Sequence, residues 1–120
     1  MERINIQNIP LQPLQVYAGW YVEQNTFTAI EPYSNIRVQG LPDEDPWELF
    51  AQDMLYMEHK AFKMILDLGW IPEADPKGSY LLRVVKNNDW DNPVFIYKSK
   101  NKDDIVQKIN LWLAKISSQF

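Results

Sequence analysis

Apolar and polar residues alternate most regularly in the segment FKMILDLGW, which runs from Phe62 to Trp70. A period of two places one set of side chains on one face of a β-strand. The loop EADPKG follows, and its proline and glycine residues favour a reversal of the chain. The next segment, SYLLRVVK, is rich in aliphatic and β-branched residues, as strands prefer. We therefore predict a β-hairpin with an irregular loop, whose first strand covers residues 61–71.

A helix is the alternative interpretation of the residues that lead into this hairpin. Apolar side chains between Trp47 and Leu68 also fit a helical spacing, and Gly69 would then occupy a C-terminal cap. A single helix from Pro46 to Leu68 would remove the first strand of the hairpin. The sequence favours the strand but leaves both interpretations open.

The first 40 residues predict further strands. An edge strand is expected over Ile4 to Ile9, a hairpin from the strands Leu14–Val22 and Phe27–Ile30, and a short strand over Ile36 to Gln39. Gly19 interrupts the predicted strand Leu14–Val22, which indicates a bulge or a close backbone approach.

Two helices are predicted. Asp45, Pro46 and Glu48 form a strong helix start, because an N-cap acid, a proline at the first helical position and a capping-box glutamate all favour it. This helix is expected to end near Met57. After a short strand over residues 94–98, Asn101 can cap a last helix with an apolar stripe at helical spacing, formed by Ile105, Ile109, Trp112 and Ile116 and widened by Val106 and Leu113.

The order of these elements predicts an α+β fold. Short connections between strands imply antiparallel pairing. We expect residues 1–120 to form a single domain with an antiparallel sheet of five to six strands and two helices packed mainly on one face.

Composition limits the classes of function. The chain of 120 residues has no cysteine, which excludes disulfides, thiolate metal sites and cysteine nucleophiles. Its net charge is −4, and residues 1–60 hold nine acidic but only three basic side chains. This balance argues against nucleic acid as a partner and favours a basic protein partner. No signal peptide or membrane-length apolar run is present, so a cytoplasmic location without membrane contact is expected.

Catalytic and cofactor motifs are missing from the sequence. His59 is the one histidine, no serine lies in a nucleophile elbow, and no glycine-rich phosphate loop occurs. We expect no catalytic residue, no metal and no cofactor. An enzyme with an unrecognised site is the weakest of the hypotheses that remain.

Two of the five tryptophans lie in acidic, turn-rich surroundings, DEDPWE and NNDWDNP. Tryptophan is enriched in interface hot spots, and neighbouring charges steer a partner. The structural alternative is that Trp47 packs its helix against the sheet and that Trp90 covers an open edge of the sheet. The candidate partner-binding residues are Asp43, Glu44, Asp45, Trp47, Asp89, Trp90 and Asp91.

The second half of the chain resembles small bacterial proteins of uncharacterised function. The resemblance rests on a GW-x-P-E-x-D-P-x-G hairpin, formed here by residues 69–78, and on a DW-x-x-P loop, formed by residues 89–93. Some small acidic domains of this kind are similar to immunity proteins, which bind and block a cognate toxin. The resemblance implies protein binding and brings no catalytic motif with it.

These observations lead to two hypotheses for function. The first is a non-enzymatic bacterial interaction protein, immunity-like, that binds through an acidic, aromatic-bearing surface. The alternative is a small-ligand binding module with a pocket between sheet and helices, lined by residues such as Tyr17, Trp20, Tyr80 and Trp112. The chain is expected to be a monomer, or a homodimer paired through an exposed edge strand.

Overall fold

The computed structural model describes residues 2–118 and places seven β-strands and one α-helix within them. Short 3₁₀ turns cover Ile6–Asn8, Pro42–Glu44 and Pro46–Leu49. The longer elements are β1 (Arg3–Asn5), β2 (Trp20–Asn25), β3 (Arg37–Gln39), β4 (Leu55–His59), β5 (Met64–Ile71), β6 (Ser79–Lys86), β7 (Phe95–Ser99) and α1 (Lys102–Ser117).

The main sheet has five strands in the order β2-β4-β5-β6-β7, and every neighbouring pair is antiparallel. This confirms the predicted antiparallel sheet and the α+β character of the fold. A second, two-stranded sheet pairs β1 with β3 in parallel, which the sequence analysis did not predict.

The central hairpin is formed by β5 and β6, as predicted. Leu66 lies opposite Val84, and Trp70 lies opposite Tyr80. Its loop is anchored by the buried Trp70, whose indole N–H donates a hydrogen bond of 2.8 Å to the carbonyl oxygen of Asp75. The alternation of apolar residues therefore predicted both the strand and the side chains that it directs into the core.

The last helix, α1, also matches its prediction. The Asn101 side chain accepts a hydrogen bond of 3.0 Å from the backbone N–H of Asp104 and caps the helix. The apolar stripe of α1 is buried in one core cluster with Leu66, Leu82 and Val84 of the sheet. We call the sheet face that α1 covers the helix face. None of the helical segments between residues 2 and 118 combines the length and apolar character that a membrane crossing requires.

The predicted helix from Asp45 to Met57 is wrong, and so is the longer alternative from Pro46 to Leu68. The helix start is present, since Asp45 Oδ1 accepts a hydrogen bond of 3.0 Å from the Trp47 N–H, but the turn ends at Leu49. The chain then runs in extended form beside β5, where the Trp70 N–H donates to the Ala51 carbonyl oxygen at 2.8 Å. Pairing with β5 satisfies the backbone groups that a helix would have paired internally. The fold therefore has one α-helix among its described residues, not two.

The predicted hairpin between residues 14 and 30 is also wrong. The strand β2 begins only at Trp20 and continues through the residues expected to turn, and its partner is β4. Residues 27–30 make a single bridge, between Thr28 and Leu11, and no strand. Because residues 55–59 form a strand and not the end of a helix, they offer β2 an edge with which to pair. Gly19 lies just before β2 and not within a strand, and a Cβ there would lie 2.5 Å from the side-chain atom His59 Nε2.

Replacing Tyr80 with phenylalanine is expected to stabilise the protein by about 1 kcal/mol. The Tyr80 ring is fully buried, and its hydroxyl has no hydrogen-bond partner among residues 2–118. Burial also raises the pKa of this phenol. The variant keeps the ring and removes the unpaired polar atom. Urea denaturation of both proteins measures the difference, and a clear loss of stability in Tyr80→Phe would show that the hydroxyl is satisfied.

Candidate functional site

One face of the five-stranded sheet is turned away from α1, and we call it the open face. Alternation along the strands and the cross-strand register assign its side chains. Two of them are strongly exposed for apolar residues, since Tyr21 has 54% and Ile96 has 57% of its surface accessible. The open face carries Tyr21, Tyr56, Glu58, Ile65, Asp67, Leu81, Arg83, Val85, Ile96 and Lys98.

An ion pair lies at the centre of the open face. Arg83 Nη2 is 2.9 Å from Asp67 Oδ2, and the two residues are direct cross-strand neighbours on β6 and β5. Asp67 is only 6% exposed. Burial raises the pKa of its carboxyl, and the nearby guanidinium opposes that rise without cancelling it. The pair therefore places a desolvated charge at the centre of this face, between aromatic and aliphatic side chains and the charged Glu58 and Lys98.

Trp90 packs against the Arg83 side chain of this ion pair. The centre of its ring is 5.0 Å from the Arg83 guanidinium carbon, a distance at which a cation is attracted to an aromatic face. Arg83 Nε is buried and has no hydrogen-bond partner in the described part of the chain. Of the candidate residues from the sequence, Trp90 is therefore the one that the fold brings against a side chain of the open face.

The loop around Trp90 is held in shape by its own hydrogen bonds. The Asp89 N–H donates to the Lys86 carbonyl oxygen at 3.1 Å, and the Asn92 N–H donates to the Asp89 carbonyl oxygen at 3.2 Å. The Asp89 carboxylate also accepts a hydrogen bond from the Asn92 amide at 3.3 Å. Asp89 and Asp91 are both exposed, so two carboxylates flank Trp90 at the edge of the open face.

The acidic side chains and backbone of the second candidate segment, residues 43–47, make contacts with other residues of the chain. Glu44 Oε2 is 2.6 Å from Arg3 Nη2, and Glu44 Oε1 is 3.8 Å from Arg37 Nε. The hydrogen bond from Arg3 is the main reason that the pKa of Glu44 is lowered. Arg37 also donates a hydrogen bond of 2.8 Å to the carbonyl oxygen of Asp43, while the Asp45 side chain caps the turn. Two arginines therefore offset the negative charge that the sequence places here.

Trp47 belongs to an aromatic cluster. Its ring centre lies 5.0 Å from those of Tyr33 and Phe50 and 5.4 Å from that of Trp70. Since Trp70 points to the helix face and Arg83 to the open face, Trp47 and Trp90 lie on opposite faces of the sheet. The structure does not bring the two predicted segments together into one surface.

His59 is buried on the helix face. It stacks on Phe62 with ring centres 4.7 Å apart and meets the edge of Trp20 at 5.3 Å. No group of three or more histidine, aspartate or glutamate side chains in residues 2–118 is placed to hold a metal ion.

The aromatic residues suggested for a pocket between sheet and helix do not converge. Tyr80 is fully buried in the core, whereas Tyr17 is 42% exposed. Trp20 donates a hydrogen bond of 3.0 Å to the Ser117 hydroxyl, and Trp112 packs against Phe95. Tyr80, Trp20 and Trp112 therefore each have separate contacts in the fold, and the pocket between sheet and helix stays a prediction.

Three central residues of the open face were missed by the sequence analysis, namely Tyr21, Asp67 and Arg83. The sequence did contain a signal that Asp67 and Arg83 are paired. They have opposite charges and lie at equal distances along the sequence from the hairpin loop. Strand register pairs such residues directly. Tyr21 gave no such signal, because its strand pairs with a segment that looked helical.

Comparisons with protein-family models, with curated proteins and with solved structures found no match to this chain. The resemblance to small bacterial proteins with GW-x-P-E-x-D-P-x-G and DW-x-x-P segments therefore stays a prediction.

Proposed function

We propose that this chain is a non-enzymatic, immunity-like protein that binds a partner protein through the open face and the loop at residues 89–92. The observation that carries the proposal is the placement of Trp90 over the Arg83–Asp67 ion pair, at 5.0 Å from the guanidinium. Tryptophan, tyrosine and arginine are the residue types most enriched in interface hot spots. All three types meet on this face.

The composition of the open face supports a protein partner. Tyr21 and Ile96 expose more than half of their surface on either side of the central ion pair, on β2 and β7. A partner that covers them gains from the burial of apolar area, while charged groups at the rim fix its orientation. Because α1 packs on the other face of the sheet, these two side chains stay accessible to a protein surface.

Charge supports a basic partner. Asp89 and Asp91 are exposed beside Trp90, and the chain as a whole carries a net charge of −4. Charges at the rim of an interface raise association rates and discriminate between partners. Glu44 is already paired with arginines. We therefore propose that the acidic turn at residues 43–47 contributes to the electrostatic attraction of the partner but does not contact it directly.

Affinity capture from the organism that makes this chain tests the proposal. We expect the tagged wild-type chain to retain one partner in stoichiometric amount. Asp89→Lys/Asp91→Lys and Trp90→Ala should each lose that partner, because the first reverses the rim charge and the second removes the central aromatic contact. Retention is measured by quantitative mass spectrometry at fixed ionic strength.

The matched control is Glu2→Lys/Glu48→Lys, which changes two exposed carboxylates elsewhere by the same total charge. This variant should keep the partner, because the contact is local to the open face. The proposal is wrong if no partner is retained by the wild type, or if both charge-reversal variants lose it equally.

A further inference from the structure

A polar cleft lies at one end of the open face, between the β4–β5 turn and the loop that follows β6. Its volume is about 540 Å³. This is within the roughly 300–1,000 Å³ of ordinary small-molecule sites. We call it the lysine cleft, and it is lined by Glu58, Lys60, Lys63, Ile65, Asn87 and Asn88.

The two walls of the lysine cleft are joined through the backbone. The Asn87 N–H donates a hydrogen bond of 2.9 Å to the Lys63 carbonyl oxygen, and the Lys63 N–H donates to the Lys60 carbonyl oxygen at 3.3 Å. Lys63, Asn87 and Asn88 all have positive φ, at 54°, 55° and 58°. Asparagine adopts this backbone readily, and residues 87–88 form the turn that ends β6 and shapes one wall of the cleft.

The polar groups of the cleft are uncommitted. Within residues 2–118, Glu58, Lys60 and Lys63 take part in no ion pair, and the side-chain amides of Asn87 and Asn88 make no hydrogen bond. The Lys60 ammonium lies 5.3 Å from the centre of the Tyr21 ring, which is a cation–π contact and not a hydrogen bond. Two lysines, one glutamate and two asparagines therefore line the same cleft without an ion pair or a side-chain hydrogen bond to one another.

We propose that the lysine cleft binds a small organic acid that also carries an amino or hydroxyl group. Lys60 and Lys63 hold the carboxylate, because two ammonium groups favour an oxyanion and form strong charge-assisted hydrogen bonds with it. Glu58 accepts a hydrogen bond from the ligand's donor group. Ile65, which is 3% exposed, forms the floor against which the apolar part of the ligand packs.

The balance of charges selects this class of ligand. The cleft carries charges of both signs, two lysines and one glutamate, so a ligand with both a carboxylate and a donor group can satisfy them together. A purely anionic ligand would leave Glu58 desolvated without a donor. The cleft shares Glu58 and Ile65 with the open face, but its test uses a free small molecule and needs no partner protein, so the two proposals can fail separately.

Nuclear magnetic resonance titration of the full chain tests the proposal with two matched probes, leucine and 4-methylpentanoate. The second has the same carbon skeleton and carboxylate as leucine but lacks the amino group. We expect leucine to cause saturable shifts in the backbone signals of residues 58–65 and 87–88. It should bind about tenfold more tightly than 4-methylpentanoate, because one hydrogen bond to a charged group is lost in the second probe.

Three variants separate the roles of the lining residues. Lys60→Gln/Lys63→Gln should abolish leucine binding, while Lys98→Gln/Lys100→Gln removes the same charge away from the cleft and should leave binding unchanged. Glu58→Gln should reduce the preference for leucine over 4-methylpentanoate. The proposal is wrong if leucine gives no saturable shift, if the two lysine double variants behave alike, or if the wild type binds both probes equally.

Discussion

Replacing Gly69 with alanine is expected to destabilise the fold by at least about 3 kcal/mol. Gly69 lies in β5, where a Cβ atom would be 1.7 Å from the carbonyl oxygen of Gln52. This oxygen belongs to the backbone and cannot rotate away. The segment that carries it is held on both sides, since Ala51 accepts a hydrogen bond from Trp70 at 2.8 Å and Met54 donates one to Leu68 at 2.9 Å. Relief of the clash therefore breaks backbone hydrogen bonds at the edge of the core.

Chemical denaturation followed by circular dichroism measures this effect. The control is Leu111→Ala, an exposed position on α1, which should change the unfolding free energy by no more than about 0.5 kcal/mol. A Gly69→Ala protein with wild-type stability would show that residues 51–54 do not run against β5. A protein that fails to fold at all agrees with the expected result.

The elements that were predicted correctly are those whose signals are local. The strands β5 and β6 follow from alternation and from the turn residues between them, and α1 follows from an Asn101 cap and an apolar stripe. Each signal is complete within about 20 neighbouring residues. Tertiary contacts then agree with the local preference, as they do in most well-folded sequences.

The segment from Asp45 to Met57 failed because its structure depends on distant residues. The local helix start is real, and the Asp45 cap forms. Pairing with β5 outcompetes the helix after Leu49, and this pairing is possible only because Gly69 has no side chain. In the alternative helical interpretation of the sequence, Gly69 was a helix cap. Its actual role is to leave space for another part of the backbone.

In the candidate site, too, local sequence signals are not enough where distant residues decide the structure. Trp47 and Trp90 have similar sequence surroundings, yet one joins an aromatic cluster on the helix face and the other covers Arg83 on the open face. The partner that offsets Glu44 is Arg3, which lies 41 residues away in the sequence. No local pattern indicates which acidic residues will be paired within the chain and which will face solvent.

Replacing Arg83 with methionine is expected to destabilise the protein by about 2 kcal/mol at neutral pH. This lies between the small contribution of an exposed ion pair and the larger effect of breaking a buried one. The intermediate value is appropriate because Asp67 has 8% but Arg83 has 33% of its side chain exposed. Methionine keeps most of the apolar stem and removes the guanidinium, so the variant leaves a buried carboxylate without its counter-charge.

The loss should shrink as the pH is lowered. Burial already raises the pKa of Asp67, and Arg83 opposes that rise, so the variant should raise this pKa further. A carboxyl with a raised folded-state pKa binds its proton more tightly when folded, and its unfavourable contribution therefore grows as the pH rises from the unfolded to the folded pKa. Below that window Asp67 is protonated in both states, and the missing guanidinium matters less.

The difference between wild type and variant isolates this effect. Glu44 and Asp104 have lowered pKa values, so they lose their stabilising contribution as the pH falls, but they do so in both proteins and cancel in the difference. The control is Asp67→Asn/Arg83→Met, which has no titrating group at the centre of the open face. It should be more stable than Arg83→Met at neutral pH, and its deficit relative to wild type should not shrink as the pH is lowered, because only the wild type carries the raised pKa of Asp67. A constant deficit for Arg83→Met between pH values of about 4 and 7 would show that Asp67 is not held as a desolvated charge beneath Trp90.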